Sequence, residues 1–247
     1  PEDGFHVTAK QIEAAITPRS RVLLLNTPSN PTGAVLSQNE IDEIGEVCER
    51  HDLWIVVDEV YADLTYSVPF CSPFDRPQLR HRTLAVSSIS KSHALPGFRA
   101  GWIASPLEVT QRLVLVAEAM LFGSQPFIED ALAVALSQRH PEVENLSAAF
   151  KDRAQQLVGA FEGSTAAKAR MPEGGMFIMV DIRETGMSGD DFAWMLLNDH
   201  DIVVMPGESF GTGGAGHIRL ALTNDVKILR EAGARIRVVA EAVVAAR

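Results

Sequence analysis

The chain has few of the residues that define several large classes of protein. Its 247 residues include only two cysteines, Cys48 and Cys71, which is too few for a disulfide framework or a cysteine metal site. No apolar run approaches the roughly 20 residues that cross a bilayer, which excludes a membrane-spanning helix. Its 22 Lys and Arg are outnumbered by 32 Asp and Glu, and a net charge of −10 argues against a nucleic-acid partner. The seven histidines show no metal-ligand spacing. These absences predict a cytoplasmic protein with reduced thiols and no metal, membrane or nucleic-acid partner.

What the sequence does contain is an alternation of short apolar segments and helical segments, with 46% hydrophobic residues to build a core. Short apolar strands separated by helices are typical of a parallel sheet covered on both faces. Ser37 and Glu40 fit a capping box that begins a helix ending near His51. The predicted strands are 22–25, 53–57, 83–86, 101–104, 176–182, 202–205 and 217–222. The other predicted helices are 8–17, 108–137 with a break near 123–126, 142–162, 189–199 and 226–247. We therefore expect an α/β fold with domains at 1–145 and 146–247.

Three polar clusters directly follow predicted strands, at 26–33, 58–61 and 87–102. Ligands of open α/β sheets bind outside the carboxyl ends of the strands, so these clusters are candidate functional segments. Each also has an ordinary structural interpretation. The first is a proline-rich turn, Asp58 is in a position to cap a helix, and most lysines and arginines are simply solvated.

Taken together, in order and spacing, the clusters resemble the signature of the fold-type I pyridoxal-phosphate enzymes, and the chain resembles a class I/II aminotransferase. The matching residues are Asn30 in Asn-Pro-Thr-Gly, Asp58 and Tyr61 in Asp-Glu-Val-Tyr, Lys91 in Ser-x-Ser-Lys, Arg99 in Leu-Pro-Gly-Phe-Arg, and Arg219 in Gly-His-Ile-Arg-Leu. The resemblance implies a three-layer α/β/α large domain with a mostly parallel sheet, of which 1–145 would be the C-terminal part. Residues 146–247 would form the smaller α+β domain.

The resemblance also implies how pyridoxal 5'-phosphate would be held and used. Lys91 would bind the cofactor as a Schiff base and then transfer the proton. Asp58 would pair with the pyridinium nitrogen and keep it protonated. Tyr61 and Asn30 would donate hydrogen bonds to the phenolic oxygen of the cofactor.

Two anion sites follow from the same resemblance. Arg99 would bind the cofactor phosphate with both arms of its guanidinium, with help from the hydroxyl of Ser88 and, as a weaker candidate, that of Ser90. Arg219 would bind the α-carboxylate of the substrate, assisted by Asn30.

The implied reaction is the ping-pong transfer of an amino group between an L-amino acid and a 2-oxo acid. Within the family, the stretches 90–94, 120–124, 127–131 and 174–183 are similar to the arginine:pyruvate transaminases. The alternatives are a broad aspartate or aromatic aminotransferase, a pyridoxal-phosphate β-lyase or decarboxylase, and the aminotransferase-like sensor domain of a transcription regulator. The family resemblance also implies a homodimer.

Some features of the family are not found in the sequence. The glycine-rich phosphate turn, the aromatic that stacks on the cofactor ring and the N-terminal arm all precede the matched motifs in the family. We therefore expect the front third of the usual chain to be absent and Pro1 to lie within a domain.

Overall fold

The computed structural model describes residues 2–138 and 140–247. The chain divides into two compact units. The first unit comprises Val7–Pro28 and Val35–Ser147, and the second comprises the segment up to His6, Ser29–Ala34 and Ala148–Arg247. The turn that carries Asn30 therefore belongs to the second unit. The domain boundaries drawn from the sequence remain a prediction.

The first unit contains a four-stranded sheet in the order β1-β2-β3-β4. The strands are β1 (Val22–Asn26), β2 (Trp54–Asp58), β3 (Thr83–Ser88) and β4 (Gly101–Ala104). β1, β2 and β3 are parallel, as predicted, but β4 is antiparallel to β3. Residues 89–100 connect β3 to β4 and hold only a four-residue α-helix and a 3-10 turn, without the longer helix that usually makes a parallel crossover.

Four helices of the first unit begin and end close to their predicted positions, whereas the short helix directly after β3 is not among those predicted. The helices of this unit are α1 (Ala9–Ala15), α2 (Gln38–Arg50), α3 (Ile89–Ser92), α4 (Leu107–Leu121) and α5 (Pro126–Ser137). The predicted capping box is confirmed, because the Ser37 hydroxyl accepts a hydrogen bond from the Glu40 amide and the Glu40 carboxylate accepts one from the Ser37 amide. α2 buries one face in the core with the strands.

The prediction that the strands are covered on both sides does not hold for one face of the sheet in the first unit. Val22 and Leu24 on β1 are 53% and 72% exposed, and no residue of α4 is buried. The apolar run of β1 therefore has one buried side, at Leu25, and one open side.

The second unit contains an antiparallel sheet in the order β5-β6-β8-β7. Its strands are β5 (Lys168–Ala169), β6 (Phe177–Asp181), β7 (Met205–Pro206) and β8 (His217–Ala221). Its helices are α7 (Gly189–His200), α8 (Val226–Ala245) and the latter part of α6 (Pro141–Gly159). Of the strand predicted at 202–205, only Met205 is extended in the sheet. The core includes fully buried side chains from strands and helices alike, namely Leu157, Ile178, Val180, Leu196, Ile218 and Ile236.

Across the described residues, no helix combines the length and the hydropathy needed to cross a membrane.

Candidate active site

The carboxyl ends of β1 and β2 place Asp58 at the edge of the sheet. The parallel register pairs Asn26 with Asp58. The Asp58 carbonyl accepts a hydrogen bond from Asn26 Nδ2 at 3.2 Å and another from the Thr27 amide at 3.1 Å. Its side-chain Oδ1 accepts from the Val60 amide at 3.0 Å. Asp58 thus stabilises the turn that follows it, in the manner of a cap.

Tyr61 lies in that turn and is 4% exposed. The Ala62 amide donates to the Glu59 carbonyl, and the Leu64 amide donates to the Tyr61 carbonyl, both at 2.8 Å. These are successive turns rather than the helix considered from the sequence. Asp58 and Tyr61 are therefore presented by one hydrogen-bonded loop.

Lys91 follows the neighbouring strand β3, within the short helix α3. The Ser88 hydroxyl caps this helix by accepting from the Ser90 amide at 3.3 Å, and Ser92 Oγ donates to the Ser88 carbonyl at 3.4 Å. Lys91 itself is half-buried. Because β2 and β3 are adjacent and parallel, Asp58 and the Ser88–Lys91 segment lie at the same edge of the sheet.

Arg99 is exposed and has the left-handed backbone conformation, with φ 53°. Its Nη1 donates to the Pro96 carbonyl at 2.9 Å. Two residues later Gly101 pairs with Ser88, and a Cβ at Gly101 would lie 2.6 Å from the Ser87 carbonyl oxygen. Because β4 packs this closely against β3, the chain passes beside Ser88 again directly after Arg99.

In the second unit, Arg219 lies on β8 in contact with Asn30. Arg219 Nη1 donates to Asn30 Oδ1 at 2.8 Å. The guanidinium carbon lies 4.1 Å from the ring centroid of Phe177 and 4.8 Å from that of Phe210. Both contacts are of the cation–π kind, which orients a guanidinium as well as attracting it. Neither aromatic residue stands in a motif that was matched to a site role, although Phe177 lies within the stretch 174–183.

The turn that carries Asn30 is fixed by Gly33. The Gly33 carbonyl accepts from the amides of Glu173 and Gly174, both at 3.0 Å. Gly33 has φ +72°, and a Cβ there would lie 2.4 Å from the Pro172 Cβ. Glycine is thus required at the end of the Asn-Pro-Thr-Gly turn.

The first unit therefore holds Asp58, Tyr61, Ser88, Ser90 and Lys91 around the ends of two adjacent strands, with Arg99 on the loop that follows. The second unit holds Asn30 and Arg219 in direct contact. The chemistry of the first set suits pyridoxal phosphate. It offers an amine for the aldehyde, a carboxylate for the pyridine nitrogen, and hydroxyl and guanidinium donors for a phosphate.

Comparison with known proteins identifies the family. The family model for aminotransferases of class I and II matches residues 1–236. The chain belongs to this family. Its fold is that of the fold-type I aminotransferases, and class I/II aminotransferases of this kind depend on pyridoxal phosphate.

Two curated relatives and two solved structures illustrate the similarity. The chain is 43% identical to arginine–pyruvate transaminase AruH of Pseudomonas aeruginosa, over 95% of this chain and 60% of the relative. It is 31% identical to the putative aminotransferase YugH of Bacillus subtilis, over 96% of this chain and 61% of that protein. The aromatic aminotransferase from Pyrococcus horikoshii superposes with a TM-score of 0.93 at 29% identity, over 98% of this chain and 65% of that one. The aspartate aminotransferase from Rhizobium meliloti gives a TM-score of 0.90 at 30% identity, over 97% and 63%.

The chain thus spans about 60% of the length of the curated relatives it matches. These relatives are named as aminotransferases, which does not favour the lyase and regulator alternatives raised by the sequence.

Proposed function

We propose that this chain belongs to an enzyme that transfers an amino group between an L-amino acid and a 2-oxo acid, with pyridoxal phosphate as cofactor. The observation that carries the proposal is the placement of Asp58 and Lys91 after adjacent parallel strands, since Asp58 ends β2 and Lys91 lies three residues beyond the end of β3. When bound, the cofactor supplies an aldehyde that captures amines and a pyridine ring that withdraws electrons.

Asp58 and Lys91 have distinct tasks in this proposal. The Lys91 amine would hold the cofactor covalently through its aldehyde and, as a free amine, would move the proton that the reaction transfers. The Asp58 carboxylate would keep a proton on the pyridine nitrogen. The Tyr61 hydroxyl would donate a hydrogen bond to the phenolic oxygen of the cofactor.

The phosphate would be held by Ser88, Ser90 and Arg99. Arg99 uses one N–H for the Pro96 carbonyl, and a guanidinium has five N–H donors, so it retains donors for an anion. The hydroxyl of Ser88 accepts one bond from the helix it caps and can still donate its own hydrogen.

Arg219 would bind the α-carboxylate of the substrate, with Asn30 beside it. Asn30 Oδ1 and the two aromatic rings fix the guanidinium in one plane, which suits a two-point contact with a carboxylate.

We propose arginine and pyruvate as the first substrate pair to test, because the chain is 43% identical to an arginine–pyruvate transaminase. A broad aspartate or aromatic aminotransferase is the competing assignment, supported by 33% identity to an aspartate aminotransferase. Parallel assays of L-arginine, L-aspartate and L-phenylalanine, each with pyruvate as the amino acceptor, distinguish these two assignments. The proposal includes a homodimer in the cytoplasm.

The decisive experiment locates the covalent attachment. Borohydride reduction of the protein loaded with pyridoxal phosphate, followed by peptide mapping, should place the label on Lys91. Lys91→Ala should abolish turnover, whereas Lys10→Ala, at an exposed lysine on α1, should leave it unchanged. A label on Lys10, Lys151 or Lys168 would overturn the assignment.

A further inference from the structure

Glu59, the residue next to Asp58, is a buried acid that has no role in the proposed reaction. Glu59 is 8% exposed, and the Ser72 hydroxyl donates to its Oε1 at 2.5 Å. Ser72 is itself 6% exposed and accepts from the Phe74 amide at 3.1 Å. Burying a carboxyl group costs free energy unless hydrogen bonds or a cation compensate it. The charged neighbours that act on Glu59 are acidic, Asp58 and Asp75, so its presence calls for an explanation.

The backbone of Glu59 joins the two strand ends that carry the proposed chemistry. Its amide donates to the Val86 carbonyl of β3 at 2.8 Å. Its carbonyl accepts from Ser87 Oγ at 3.4 Å. Val86 and Ser87 lead directly into Ser88 and Lys91. Glu59 is therefore bonded to β3 through its backbone and to the 71–75 segment through its side chain.

We propose that Glu59 is a positioning residue for the reaction proposed above, whose carboxyl group, bound to Ser72, holds the turn that presents Asp58 and Tyr61 against the end of β3. The inference rests on the proposed function, since Asp58 is the group being positioned. An ionised Glu59 also adds a second negative charge beside Asp58, so its protonation state bears on the same site.

The environment of Glu59 gives this role a pH dependence. Burial raises the pKa of Glu59 to about 7, while the Ser72 hydrogen bond opposes the rise and the carboxylates of Asp75 and Asp58 add to it. The partly buried thiol of Cys71 lies in the same cluster. Between the ordinary value of 4.5 and about 7, the folded protein keeps a proton that the unfolded chain has released. Stability should therefore fall as the pH rises through this window.

Three variants separate these effects. Glu59→Gln keeps an oxygen that accepts from Ser72 but does not titrate, Glu59→Ala removes the bond and the charge, and Ser72→Ala leaves the acid without its donor. Glu46→Gln, on the exposed face of α2, is the matched control. The measurements are urea unfolding at pH 5.5 and pH 8, cofactor affinity by absorbance, and kcat against pH.

We expect the urea midpoint of the wild type and of Glu46→Gln to fall between pH 5.5 and pH 8, and that of Glu59→Gln to change less. In Ser72→Ala the decrease in the urea midpoint should occur at higher pH, because the hydrogen bond that lowers the pKa of Glu59 is lost. At pH 5.5 Glu59→Gln should keep cofactor affinity and kcat within about threefold of wild type. Glu59→Ala should lose about tenfold or more in kcat, because a displaced group costs rate steeply.

A Glu59→Ala protein with wild-type kcat, KM and cofactor affinity would overturn the positioning role. A Glu59→Gln protein with the wild-type pH dependence of stability would overturn the pH dependence assigned to Glu59. If the wild type neither transaminates nor labels on Lys91, the proposed function fails instead. The unfolding data then still decide whether Glu59 titrates as described.

Discussion

At the scale of single residues, the contacts of Arg219 decide what it can recognise. Its guanidinium is fixed by Asn30 on one side and by the faces of Phe177 and Phe210. Arg219→Lys keeps the positive charge but loses the planar fork and the stacking. We expect KM for both the amino acid and the 2-oxo acid to rise about tenfold or more, as for the loss of a charge-assisted hydrogen bond. Steady-state kinetics with each substrate varied in turn measures this.

Arg230→Lys, at an exposed position on α8, is the control and should leave both KM values unchanged. If Arg219→Lys also leaves them unchanged, the carboxylate is bound elsewhere.

Asp58 can be tested with little disturbance of the turn around it. In Asp58→Asn the side-chain oxygen can still accept from the Val60 amide, so the loop is kept while the charge is lost. The neutral amide cannot hold a proton on the pyridine nitrogen, so kcat should fall about a hundredfold or more while cofactor affinity changes far less. Stopped-flow half-reactions and absorbance titration give the two quantities. Asp63→Asn, exposed in the same loop, is the control, and near-normal turnover of Asp58→Asn would remove the electrostatic role from this residue.

The sequence contained the signal for some site residues and not for others. Asn30, Asp58 and Lys91 stand in short motifs, and the order and spacing of these motifs resemble the family signature, which implies their roles. Phe177 and Phe210 acquire significance only through contact with Arg219, which lies on another strand. The Phe177 contact depends on the register of β6 against β8, and the Phe210 contact on the 3-10 turn 207–210 that holds Phe210; no local pattern encodes either.

At the scale of elements, local patterns predicted the positions of strands and helices better than their directions. The apolar runs of β1, β2 and β3 end within two residues of the predicted limits, and α2 begins at its predicted capping box. The direction of β4 depends on how residues 89–100 connect it to β3, which periodicity does not report. The segment 202–205 shows a further limit, because Ile202 is buried while Val203 is 79% exposed and only Met205 pairs with β8.

The β3–β4 pairing gives a stability prediction for the element that borders Lys91. In Gly101→Ala the new methyl group would lie 2.6 Å from the Ser87 carbonyl oxygen, a backbone atom that cannot turn aside. We expect a loss of about 1–3 kcal/mol in the free energy of unfolding, typical of overpacking. Gly97→Ala in the same loop is the matched control, because nothing lies within 4 Å of a Cβ there. Urea unfolding of both variants measures the difference. Equal stability of Gly101→Ala and Gly97→Ala would show that β4 can shift away from β3 to make room for the methyl group.

At the scale of the whole molecule, the first unit exposes an unusual amount of apolar surface on α4 and α5. Leu115, Met120 and Phe122 are 66%, 72% and 97% exposed, and Phe127 at the start of α5 is 69% exposed. Scattered apolar side chains on a surface are ordinary, but a helix with apolar residues on several faces and none buried is not. The net charge of −10 opposes association of like chains without removing this apolar surface.

We therefore expect the 247-residue chain, expressed by itself, to self-associate through α4 and α5. Light scattering coupled to size-exclusion chromatography should show a mass that rises with concentration, and Met120→Glu should lower it because a charge cannot be buried there without cost. Val238→Glu, at an isolated exposed position on α8, changes the net charge equally and should leave the association intact. If both variants reduce association equally, general charge repulsion is the cause. If only Met120→Glu reduces the association, the contact lies on α4, because of the two added charges that at Met120 is the one placed on an apolar face that another chain would cover.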